Sequence, residues 1–224
     1  MAIAVASANR RTTVLATPSP SMKTSLAVLF HGLLLAPMAL VQGQTPAPAG
    51  HDHHAPATGG GRKIELIKDI TADDFLRLGK EPKTVEVTLV AVFNDDNYGM
   101  NFNGYAKGAA EYTIPKGWKV HVTFINPSPV PHSVIVVEKD DVRKLQVAEP
   151  YFKGAGIEKH LQGIAFDKRT FEFTPDESGE YAFACGFPGH TMNGHWLTLL
   201  VSDTAEKPTL KLGEEPAKDA SPAK

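Results

Sequence analysis

Near the end of the chain, Cys185-Gly186-Phe187-Pro188-Gly189-His190-Thr191-Met192-Asn193-Gly194-His195-Trp196 gathers the only cysteine, two histidines and a methionine into one loop. A thiolate, imidazoles and a soft thioether this close in sequence form the donor set that selects copper among the biological metals. The same atoms would also suit a buried thiol with two surface imidazoles, so the rest of the chain has to decide between the two.

The elements that must hold this loop are short. Between residues 64 and 202, β-rich runs alternate with Gly, Pro, Asn and Asp clusters, the pattern of an all-β sandwich or barrel. Residues 84–92, 111–114, 118–125, 133–138, 170–175, 180–185 and 196–201 read as strands. Val120, Val122 and Phe124 share one face of their strand, which turns His121 to solvent. The loop therefore joins a strand ending in Cys185 to one beginning at Trp196. Upstream, Asn126-Pro127-Ser128-Pro129-Val130-Pro131 is a stiff proline stretch that delivers His132 to the start of another strand. A histidine fixed before a metal arrives is well placed as a ligand; a structural histidine with satisfied hydrogen bonds is the alternative. Residues 139–165 lose the alternation and read as a long excursion with one helical turn, its His160 at the surface.

With 224 residues, 42% of them hydrophobic, the chain can bury one sizeable core. A formal charge of −2 leaves no electrostatic footprint for nucleic acid. Residues 1–43 read as an export region: Lys23 leads into an apolar run that ends at Val41-Gln42-Gly43, the layout of a signal peptide over 22–43. A retained membrane anchor is the alternative, although the run falls short of the ~20 residues of a full span. Translation from Met22, or a twin-arginine signal at Arg10-Arg11, would account for residues 1–21. Residues 44–62, which carry His51, His53 and His54, read as a disordered Pro/Ala/Gly linker. Residues 63–203 form the domain, and the charged, proline-punctuated 204–224 reads as a disordered tail. Export bears on the lone thiol, because an unpaired cysteine outside the cytoplasm needs a reason. Cys185 is then an intermolecular link, a buried inert residue or a metal thiolate, and the histidines five and ten residues downstream favour the last.

Over residues 84–202 the chain resembles the cupredoxins, the blue-copper electron-transfer proteins, and within them most resembles the sulfocyanin group. The resemblance is carried by Met100-Asn101-Phe102-Asn103-Gly104, Ile114-Pro115-Lys116-Gly117-Trp118, the stretch 126–133 and the stretch 185–190. It implies a Greek-key β-sandwich holding one copper ion on His132, Cys185 and His190, with a weak axial methionine five residues beyond the second histidine. This chain has His195 at that position. Met192, or a position left open, is the alternative to His195 as fourth donor. Imidazole is a harder and stronger donor than thioether, so a bound His195 would favour Cu(II), lower the potential and give a red or green protein in place of a blue one.

The function this implies is a one-electron carrier between redox partner proteins, exported to the periplasm or beyond, and tethered to the membrane if the N-terminal segment is kept. Phe187 and Pro188, with Met192 and Trp196 near them, would form its docking patch, unless Trp196 belongs to the core. A small copper enzyme or a copper store with a histidine-rich site is the alternative. No acid/base pair, serine triad or phosphate loop supports a hydrolase.

Overall fold

Two-residue alternation of apolar side chains produces ten strands in the computed structural model, which describes residues 64–224. The expected export signal and the His51, His53 and His54 linker lie outside the described residues. The strands are β1 (Leu76–Leu78), β2 (Thr84–Val90), β3 (Ala110–Pro115), β4 (Lys119–Asn126), β5 (Ile135–Glu138), β6 (Asp167–Phe173), β7 (Gly179–Ala184), β8 (Trp196–Ser202), β9 (Thr209–Leu212) and β10 (Lys218–Asp219). One sheet has the order β1-β2-β4-β6 and the other β10-β9-β3-β8-β7-β5. The β2–β4 and β3–β8 pairs are parallel, and the other neighbours are antiparallel.

The core lies between the two sheets. Val85, Val87, Leu89, Val120, Val122 and Phe124 enter it from the first sheet, and Tyr112, Ile114, Phe183, Leu197 and Leu199 from the second. Tyr112 and Phe183 meet edge to face, 5.4 Å between ring centres. On the outer face His121 is half-exposed, its Nδ1 3.3 Å from Glu172, as the alternation in β4 requires.

The excursion after β5 is ordered by what it covers. It opens with a 3-10 turn, Lys139–Arg143, and then runs along the free edge of β5. Tyr151 N–H donates to Val136 O (2.8 Å), Val136 N–H to Ala155 O (2.8 Å) and Ile157 N–H to Val134 O (3.1 Å). Phe152, Ala155 and Ile157 join the core. An edge that would otherwise template aggregation is thereby closed.

The tail corrects the sequence reading. Residues 204–224 are not a disordered extension: β9 adds to β3, β10 pairs with β9, and Leu210 is buried in the core. Beyond β10 the chain reaches β1, where Leu78 N–H donates to Ser221 O (2.8 Å) and Ser221 N–H to Leu76 O (3.0 Å). The domain therefore continues past residue 203. Strands of two to four residues flanked by charges and prolines carry no usable period, and their partner β3 is about a hundred residues away, so the composition looked unstructured. Deleting residues 204–224 should leave the β1 and β3 edges unpaired and expose the surface Leu210 covers. Burying that leucine alone is worth about 2 kcal/mol. A clear fall in the urea midpoint is expected, and a midpoint equal to that of the full chain would show that the tail contributes nothing.

Candidate metal centre

The loop of interest is closed at its base by the strands it joins. Ala184 and Trp196 are register partners in β7 and β8, and Cys185 N–H donates to His195 O at 3.0 Å. Between them the chain coils through the 3-10 turn Thr191–Asn193, and Gly194 ends the turn at φ 96°, a left-handed conformation that suits glycine. His195 N–H donates to His190 O (3.1 Å) and the Thr191 hydroxyl to Cys185 O, which tie the two histidines to the cysteine.

His132 is fixed from a different part of the chain. The buried Asn126 side chain donates to Val130 O (2.7 Å) and Ile164 O (2.6 Å), and accepts from Ser128 N–H (3.0 Å) and Ser128 Oγ–H (2.8 Å). His132 and Ile164 exchange backbone hydrogen bonds of 3.1 and 2.8 Å. A Cβ on Gly163, which sits at φ 67°, would lie 2.8 Å from His132 O, so this approach needs glycine. Replacing Asn126 by alanine removes four hydrogen bonds and leaves the buried Ser128 N–H unpaired, at about 1–3 kcal/mol, while Ile164 O and Val130 O keep one donor each, from His132 N–H and the Ser128 hydroxyl. Copper affinity should fall about 10–100-fold, the usual cost of losing an outer support, and competition with a chelator would measure it.

These supports bring one ligand atom each from His132, Cys185, His190 and His195 within 4.8 Å of one another. Cys185 Sγ is 3.5 Å from His190 Nδ1 and 3.9 Å from His132 Nδ1, and the two Nδ1 atoms are 3.2 Å apart. His195 is fully buried, and neither ring nitrogen makes a hydrogen bond of ordinary length and angle, with only a weak favourable pull from the Asn101 backbone. Under-satisfied polar atoms at zero exposure are costly, and a bound ion is a standard reason for them. A thiol with three imidazoles converging in this way fits a single copper ion.

The electrostatics follow from burial. Desolvation pushes the Cys185 thiol up to about 11, opposed by the Ser133 N–H, 3.4 Å from the sulfur. Burial, and secondarily His190, pull His132 down to about 3. Burial lowers His190, and burial with His132 and His190 holds His195 well below the ordinary histidine range. The metal-free site at neutral pH is therefore an uncharged thiol among neutral imidazoles, ready to coordinate once the thiol proton leaves.

Met192 is 53% exposed and lies in solvent. His160, expected at the surface, is half-buried: its Nε2 is 3.0 Å from Val147 O and its ring rests on Gly186, where a Cβ would come within 2.6 Å of it. The excursion thus braces the residue that follows Cys185, a contact the charged local sequence could not disclose. Trp196 is half-buried on the outer face of β8, beneath the Lys139 ammonium at 4.6 Å from its ring centre. The supporting roles of Asn126, Gly163 and Ile164 are not legible in the sequence, where only Asn126 stands in the proline stretch before His132.

The chain is similar in sequence to known proteins. The Sulfocyanin (SoxE) domain matches residues 72–149 and 157–210. A sulfocyanin of Sulfolobus acidocaldarius is 25% identical over 142 residues, covering 56% of this chain and 67% of that protein. Among solved structures, the copper protein rusticyanin is 24% identical with a TM-score of 0.45, covering 62% of this chain and 92% of its own. Auracyanin B is 19% identical with a TM-score of 0.37, covering 57% and 94%. With more than half of its length matched by that domain, the chain belongs to the sulfocyanin family of cupredoxins.

Proposed function

We propose that the protein is an exported one-electron carrier whose copper is held by His132, Cys185, His190 and His195. Bound there, copper supplies exchange of a single electron between its Cu(I) and Cu(II) states. The observation that carries the reading is the closure of the donor set: His132, Cys185 and His195 are at most 2% exposed, and His190 alone of the four is not fully buried. A substrate would have to displace a donor that the fold holds in place, whereas an electron needs only the His190 edge.

The surface beside that edge is apolar. Phe187 lies 4.7 Å from the His190 ring, and Gly189 N–H donates to Leu145 O at 2.7 Å, which sets Leu145 against the ligand loop. Leu145 is 64% exposed and Met192 53%. Exposed apolar groups of this kind suit brief docking of a redox partner protein. Export rests on the signal-like residues 22–43.

The copper-loaded protein should be reduced and reoxidised reversibly by one electron, and azide or nitric oxide should leave its spectrum unchanged. A ligand-induced spectral change at the metal would favour a copper enzyme instead. N-terminal sequencing of protein taken from its native compartment should begin after Gly43; an intact N-terminus would replace cleavage by a membrane tether.

A further inference from the structure

The loop from Ala91 to Tyr105 is built more rigidly than its length requires. Val92, Asn97, Tyr98 and Asn103 all have positive φ, between 50° and 57°. For a β-branched valine this is an outlier, and such strain persists only where the surroundings over-determine it. The surroundings here do so. Asn101 is fully buried and uses both ends of its amide, accepting from Phe93 and Gly104 N–H and donating to Asn94 and Asp96 carbonyls. Asn103 accepts from Val90 N–H and donates to Thr88 O and the Tyr112 hydroxyl.

Between these two asparagines stands Phe102, at zero exposure. Its ring lies 4.2 Å from the His195 ring, centre to centre, at 43°. Behind it Phe124 meets it edge to face at 6.1 Å, so the ring cannot retreat into the core. The same loop grips the chain just before His195: Asn97 Nδ2 donates to Asn193 O (3.0 Å), and Lys107 N–H, just past the loop, donates to Gly194 O (2.8 Å).

We infer that this loop is a preformed floor which, through Phe102, sets how far His195 stands from the metal. The inference rests on His195 being a ligand, as proposed above. Phe102 is then a positioning residue: His195 sits between its ring and the imidazoles of His132 and His190, whose ring centres are 4.8 and 6.1 Å from that of His195. The distance and identity of a fourth donor tune the potential of a thiolate copper site, so the floor's tuning should be visible in the spectrum.

The test compares copper-loaded wild type with Phe102→Leu, Phe102→Met and His195→Met by visible absorption, EPR and redox titration. Phe102→Leu gives His195 room to withdraw. The long-wavelength thiolate-to-copper band should then gain on the short-wavelength one, the EPR copper splitting should narrow and the potential should rise, all in the direction of His195→Met but by less. Phe102→Met keeps the volume on a flexible chain and should show the same shifts if the leucine variant fails to hold copper. If His195→Met alters these signals while both Phe102 variants match wild type, the floor does not position the ligand. If His195→Met itself matches wild type, His195 is not a ligand and the underlying reading fails.

Discussion

Stripped of copper, the protein is expected to lose stability steeply as pH falls from about 6.5 towards 3. His132 is held down to about 3 from an ordinary value of 6.5, and His190 and His195 are lowered too. A histidine whose folded pKa lies below its unfolded value gives the unfolded chain the stronger claim on protons. Stability is therefore full above the unfolded value and is lost as pH falls towards the folded one. Each such proton contributes about 1.4 kcal/mol per pH unit, so the deeply shifted His132 and His195 together approach about 3, and the partly exposed His190 adds less. Against a total of about 5–15 kcal/mol, that gradient unfolds a typical domain before the window ends.

Copper raises the starting level by mass action, so the loaded protein should unfold at a lower pH. Its descent should also be steeper, because the unfolded chain recovers the thiol proton as well as the imidazole ones. Urea midpoints from pH 7.5 to 4 would measure both curves, and His195→Phe should lower the metal-free slope by one proton. A metal-free midpoint that stays level down to pH 4.5 would show that the imidazoles are not held neutral.

The second large effect lies at the sulfur. Because burial holds the Cys185 thiol at about 11, it is protonated at neutral pH and must release its proton on coordination. The imidazoles are already neutral and release none. Copper uptake at pH 7.5 should therefore liberate one proton per ion, and affinity should rise about tenfold per pH unit until the thiol itself ionises. Calorimetry in two buffers of different ionisation heat would count that proton. In Cys185→Ser the thiolate-to-copper absorption should vanish and affinity should fall by well over the ~10–100-fold cost of losing an outer support. An unchanged visible spectrum in the serine variant would remove Cys185 from the site.

What could be read beforehand was what lies close together along the chain. Cys185, His190 and His195 share one loop, and glycine and proline punctuation marked the strands on either side of it. Outside the loop, the alternation in β4 placed His121 outward, where it is found. The proline stretch before His132 also announced a rigid histidine, because proline restricts the backbone whatever surrounds it.

Other features depended on partners distant in sequence. Residues 204–224 look unstructured by composition and become β9 and β10 because β3 and β1 offer them open edges. His160 carries no mark of its contact with Gly186, and Asn126 none of its bond to Ile164 O. The sequence by itself determined the candidate donors, their order and the β-rich frame, since residue type and local period are properties of short segments. Only the tertiary structure decided that His195 is buried with neither nitrogen in an ordinary hydrogen bond and pressed against Phe102, because burial and orientation arise where segments about ninety residues apart pack together.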